Sequence, residues 1–106
     1  MLYQAKGIVW GNAWGGGKLG YQARQLESES LKDLRKEITK ALGDGSLDSG
    51  MGFESLVGAV MEICETETIR KDGKDFEHTD YWTEVFGDLD DETSDYLTGE
   101  LISTSF

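Results

Sequence analysis

The stretch from residue 66 to residue 78 constrains this chain more than any other. Two runs suited to strands, residues 66–71 and 74–78, are separated by Asp72-Gly73 alone. A two-residue type I′ turn needs positive φ at both central positions, which Asp tolerates and Gly adopts freely. Such a turn fixes the register of its hairpin. It sets Lys71 opposite Lys74, Arg70 opposite Asp75 and Ile69 opposite Phe76, the last as a core-facing cross-strand pair. Any fold for this chain must therefore contain an antiparallel sheet.

The elements around the hairpin follow from spacing. Residues 2–10 read as a strand, with β-branched and aromatic residues gathering at Ile8-Val9-Trp10. Gly11-Asn12-Ala13-Trp14-Gly15-Gly16-Gly17 is a loop, and residues 18–26 alternate, so the two segments pair as a second hairpin. Ser30 followed by Asp33 matches a helix-capping pattern. Leu31, Leu34, Ile38 and Leu42 then recur at helical spacing until Gly43 and Gly45 end the run. After a flexible stretch at 45–52, Phe53, Leu56, Val57, Val60, Met61 and Cys64 follow i, i+3, i+4, i+7, i+8, i+11. That spacing predicts a second helix, although Val57, Val60 and Ile63 leave a strand open for its later part. Tyr81-Trp82 and Val85-Phe86 continue as a strand or a short helix. Asp90-Asp91-Glu92 forms an acidic first turn for a last helix, with Tyr96, Leu97 and Leu101 facing inward.

The expected fold is a single α+β domain over residues 1–106. It has an antiparallel sheet of about four strands, with two to three helices packed on one face, in the order β-β-α-α-β-β-α. Its 38% apolar content, with three Trp, four Tyr and four Phe, supports a packed core rather than disorder. One cysteine excludes an internal disulfide framework. The N-terminal MLYQAKGIVWG lacks the apolar core of a signal peptide, and no run is long enough to span a bilayer. The expected location is the cytoplasm.

Most motifs that could carry chemistry fail on context. Gly15-Gly16-Gly17-Lys18-Leu19-Gly20 fits G-x-G-x-x-G, yet a dinucleotide site needs a helix after it, and Tyr21-Gln22-Ala23-Arg24 reads as strand. A phosphate-binding P-loop fails too, since Leu19 stands where a metal-binding Ser or Thr is required. Cys64 and His78, each the sole residue of its type, could form a nucleophilic pair only if hairpin geometry brought them together. The simpler role for Cys64 is packing. Asp88, Asp90 and Glu92 are followed by Thr93 where a calcium-binding EF-hand loop needs Gly. No catalytic residue, cofactor or metal site is expected.

Charge carries the remaining signal. The net charge is −11, and residues 75–106 hold ten acids and no Lys or Arg, whereas residues 1–43 hold seven basic residues against four acidic. A solvated face that keeps the protein soluble is the plainer explanation. The functional one is a surface complementary to Lys and Arg. Asp88, Asp90, Asp91, Glu92 and Asp95 form one row, with Glu65, Glu67, Asp75 and Glu77 as a second. Carboxylates two apart on a strand lie roughly 6–7 Å apart, so such rows imitate the charge of a nucleic-acid backbone. Trp14 is the candidate apolar anchor beside them.

In size, charge and lack of a catalytic signature, the chain resembles small phage-encoded inhibitors of host defence, the anti-CRISPR and anti-restriction proteins, several of which are DNA mimics. Stretches such as WGNAWGGGK and SLDSGMGFESL also look like those of small phage or prophage proteins. The resemblance implies inhibition without a cofactor, by occupying a basic, nucleic-acid-binding site of a host protein. It implies no direct contact with nucleic acid or membrane, carries over no individual residue and leaves room for a homodimer. The alternative from another class is an assembly accessory protein that self-associates through the Gly/Trp14 loop.

Overall fold

In the computed structural model, which describes residues 1–103, the chain runs β1 (Leu2–Asn12), β2 (Lys18–Gln22), β3 (Leu26–Ser28), α1 (Leu31–Asp44), β4 (Ser55–Lys71), β5 (Lys74–Gly87) and α2 (Asp91–Ser103). The Asp72-Gly73 turn takes φ values of 54° and 76°, and the register it dictates is the one found, with Lys71 facing Lys74 and Ile69 facing Phe76. All pairings of the sheet are antiparallel, in the order β2-β1-β4-β5, with β3 also paired to β1. The α+β class holds, with five strands and two helices among the described residues.

The expected second helix over residues 53–64 does not form; from Ser55 the chain is β4, unbroken to Lys71, so the strand left open for the later part of that segment is what is found. Of the strand or short helix expected for Tyr81-Trp82 and Val85-Phe86, the strand is found, as part of one long β5. The strand expected over 18–26 is split in two. At the break, Arg24 N–H donates to the Leu47 carbonyl at 2.7 Å, and Ala23 bridges to Asp48, so the loop after α1 interrupts the edge.

α1 forms as its sequence requires. The Ser30 hydroxyl accepts from the Asp33 N–H at 3.3 Å, and Gly45 closes the helix in the left-handed region at φ 83°. Leu34, Ile38 and Ala41 pack with Ala5, Val9, Ala59, Met61 and Ile63 in the larger core. Val60, Leu97 and Leu101 form a smaller one with Ile8, Trp10 and Leu89. Side chains alternate along a strand, so Val9 and Ile8, like Met61 and Val60, point to opposite faces. The helices therefore do not share a face: α1 covers one side of the sheet and α2 the other. Tyr96, expected inside, is exposed and meets Trp10 edge-on at 6.3 Å between ring centroids.

The loop between α1 and β4 is organised by one carboxylate. Asp48 accepts from the backbone N–H groups of Gly50, Met51 and Gly52 at 3.1, 2.9 and 2.7 Å, while neighbouring Leu47 is fully buried. Desolvation acts to raise the Asp48 carboxyl, but the N–H donors of Gly52, Met51, Gly50 and Phe53 outweigh it and hold the group below the usual carboxylate range. A depressed folded pKa gives stability that is complete above the unfolded value, about 3.9, and is lost as pH falls through the folded one. Asp48→Asn is expected to cost about 1 kcal/mol at neutral pH, after discounting for solvent. It should also shrink the acid-induced loss of stability, read by urea unfolding at neutral pH and near pH 3. Equal losses for both proteins at acid pH would count against this role.

Candidate functional site

Topology decides which of the charged rows come together. β1 ends at Asn12 opposite Ser55, where β4 begins, and β5 ends at Gly87 opposite Gly58. The β1–β2 loop, the start of β4 and the start of α2 thus share one end of the sheet. Trp14 stands out from that loop with 72% of its surface exposed. Gly15, Gly16 and Gly17 all take positive φ, and Ala13 and Gly17 close the turn with a 3.0 Å hydrogen bond. Asp88, Asp90, Asp91, Glu92 and Asp95 are exposed at the same end, with Glu54 and Asp44 nearby in the chain's other connections there. Trp14 and the first acidic row therefore occupy one end of the molecule.

Asp90 has a structural task within that row. Its carboxylate accepts from the Thr93 N–H at 2.7 Å, and its carbonyl accepts from the Ser94 N–H at 2.9 Å, so it caps α2. Bonding to the Thr93 N–H, then to its side chain, outweighs desolvation and holds the Asp90 carboxyl below its ordinary pKa. Asp91 and Glu92 follow in the first turn, where the helix dipole favours negative charge. Leu89 anchors the connection against Gly58, where an added Cβ would come within 2.6 Å of Leu89 Cγ. Asp91, Glu92 and Asp95 are consequently held on α2, with Asp90 at its cap.

The second row is divided. Glu65 and Glu67 lie on the α1 side of the sheet, with Ile63 and Met61, whereas Asp75 and Glu77 face the other way, opposite Arg70 and Thr68. Tyr3, paired with Glu65, has its hydroxyl pKa raised by desolvation first and then by Glu65 and Glu67. The four acids also sit at the far end of the hairpin from Trp14. β4 has 17 residues, which span about 55 Å at the usual strand rise, close to the 59 Å long axis of the molecule. One continuous acidic face joining both rows does not exist.

Past the Leu2–Thr66 pair, the first of the β1–β4 ladder, β4 and β5 continue as a two-stranded arm. Every residue from Thr68 to His78 is exposed. Ile69 and Phe76, expected to face the core, are 42% and 53% exposed, because neither helix extends over the arm. Sequence reasoning missed this element as a surface. Its signal was a hairpin flanked by charge, with a single apolar pair and no second apolar position to bury.

The register also settles the Cys64–His78 question. Cys64 pairs with Tyr81 and His78 with Glu67, which places the two side chains on opposite faces. His78 instead meets Asp80, at 3.3 Å. The Gly-rich run connects two strands, β1 and β2, so no helix follows it in the chain as a dinucleotide-binding turn requires. Among the described residues, no group of three His, Cys, Asp or Glu side chains could hold a metal ion. A groove of about 720 Å³ lined by Gln4, Lys6, Glu62, Cys64 and Tyr81 lies across the sheet. It is open and mixed in character, unlike the enclosed, mostly apolar pockets that hold small ligands. The bidentate Arg35–Glu84 pair, at 2.9 and 2.7 Å, ties α1 to β5, and Trp82 Nε1–H donates to the same carboxylate at 2.6 Å. The Arg35 hydrogen bond lowers the Glu84 pKa against desolvation, with Trp82 adding to it. That cluster fastens helix to sheet.

No helix among the described residues is long and apolar enough to cross a membrane. No protein-family model, curated protein or solved structure matches this chain.

Proposed function

We propose that this protein works by binding, presenting the end of its sheet that carries Trp14 and the residue 88–95 acids to a basic, nucleic-acid-binding surface of a partner protein. The observation that supports this reading is the placement of an exposed tryptophan at the same end of the fold as a row of carboxylates at and just before the start of α2. An aromatic anchor desolvates the centre of such an interface, and surrounding charge steers encounter and sets orientation. Occupying a site built for a nucleic-acid backbone would make the protein an inhibitor, of the kind a phage directs at a host defence enzyme. Neither a cofactor nor a reaction is required.

The test is capture of partners from bacterial lysate with wild type and with the triple variant Asp88→Lys, Asp91→Lys, Asp95→Lys. Asp90 is spared because it caps α2. The wild type should retain a nucleic-acid-binding protein that is released as salt rises. The triple variant should bind it about a hundredfold more weakly, with circular dichroism unchanged. Equal capture by the folded variant, or retention indifferent to salt, would overturn the proposal. Self-association that survives the charge changes but fails on Trp14→Ser would favour assembly through the Gly-rich loop.

A further inference from the structure

We propose that the β4–β5 arm is a dimerisation element that pairs with the same arm of a second copy. This goes beyond the binding role above and uses the opposite end of the molecule. The α1-side face of the arm reads, from tip to root, Lys71 with Lys74, Ile69 with Phe76, Glu67 with His78, and Glu65 with Asp80. The apolar pair is thus flanked by cations on the tip side and by acids on the root side. It is exposed on both strands, and a two-stranded hairpin without a covering layer is only marginally stable in water.

A second copy fits this face in one orientation. Turning one arm over on the other about a two-fold axis through the apolar pair stacks Ile69 and Phe76 of the two copies. That axis runs across the strands, so the arms point in opposite directions. Lys71 of each copy then lies over Glu67 of the other, and Lys74 over the His78–Asp80 pair. A two-fold interface must be self-complementary, and a patch with an apolar centre and opposite charges on its two sides meets that condition. Turned instead about an axis along the strands, so that the arms point the same way, Lys71 of each copy would lie over Lys74 of the other and Glu65 over Asp80, like charge on like. Charge therefore selects the antiparallel arrangement. The area is small beside that of a standard stable interface, so the dimer should form reversibly in the micromolar to millimolar range.

Sedimentation velocity over that range tests the proposal with two charge variants, Lys71→Glu and Glu67→Lys. Both positions lie at the arm surface, outside the two cores, so each variant should melt like wild type. Each alone places like charges across the axis and should dimerise about tenfold more weakly. Mixing the two restores both attractive contacts, so the mixture should dimerise as well as wild type, and as a heterodimer. A wild type that stays monomeric throughout would overturn the proposal. So would a dimer unmoved by either variant, or a mixture that fails to recover. Partner capture through the acidic end should persist in all of these variants, so failure of the dimer and failure of the binding role are separately visible.

Discussion

Gly7→Ala is expected to unfold the protein or to lower its stability by about 3 kcal/mol or more, the upper side of what overpacking usually costs. Gly7 lies in β1 opposite Met61, at the centre of the sheet. A Cβ there would run into the Val60 carbonyl oxygen and come within 2.8 Å of Met61 Cα and 2.9 Å of Met61 Sδ. The first two atoms are backbone, and β1 is hydrogen-bonded to β2 and β3 on one side and to β4 on the other, so relief requires breaking a ladder. The contrast is Gly43→Ala, at an exposed position in α1 where an added Cβ meets nothing within 4 Å. That change should stabilise the protein by about 0.5–1 kcal/mol, since alanine favours a helix over glycine. Urea unfolding of the two variants would settle the point. Similar effects from both would mean that the close approach at Gly7 is not what holds that position.

The parts of this fold that sequence makes legible are those with a local physical signal. Asp72-Gly73 demands its turn whatever surrounds it, and Ser30 caps α1 with groups three residues apart. β4 had no such signal. It is a central strand covered by α1 on one face and α2 on the other, so Val57, Ala59, Val60, Met61 and Ile63 are all apolar and the usual strand alternation disappears. A run apolar on both faces satisfies helical spacing by accident, and periodicity alone does not separate the two. The same missing fact hid the layering. Without knowing that β4 was a strand, no parity argument could show that Leu34 and Leu97 lie on opposite sides of the sheet.

The candidate surfaces were legible as residues and not as places. The acids at 88–95 and Trp14 stand out in the sequence, but their shared location follows from β1 and β5 ending on the same side of the sheet. The second row shows what register adds. Glu65 and Glu67 group in the sequence with Asp75 and Glu77 as pairs of acids two apart, yet the Arg70–Asp75 pairing already sends the two pairs to different faces. That division could have been read from the turn alone. The exposure of Ile69 and Phe76 could not, since it depends on which part of the sheet α1 and α2 cover.

Leu97→Ala is expected to release α2 while leaving the sheet folded, and with it to remove the partner binding proposed for the acidic end. Leu97 is 1% exposed and, with Val60 and Leu101, forms the centre of the smaller core. Its Cδ2 lies 3.1 Å from where a Cβ on Gly20 would sit, so α2 seats directly on the strands of that face. Truncating such a buried leucine costs about 2–5 kcal/mol. A helix of 13 residues is marginal on its own in water, and the larger core, built from α1 and the other face, contains no α2 residue. The loss should therefore appear as local opening rather than global unfolding. Hydrogen exchange should become fast in residues 91–103 while β1 and β4 keep their protection. Leu34→Ala, a similar deletion in the larger core, should instead lower the global midpoint and leave α2 and partner binding in place under native conditions. Because Asp91, Glu92 and Asp95 survive in both variants, the comparison separates charge from its presentation. Partner binding that persists after exchange shows α2 released would mean that the contact does not depend on carboxylates held along a helix. Uniform loss of protection in Leu97→Ala would mean that the two cores fold as one cooperative unit.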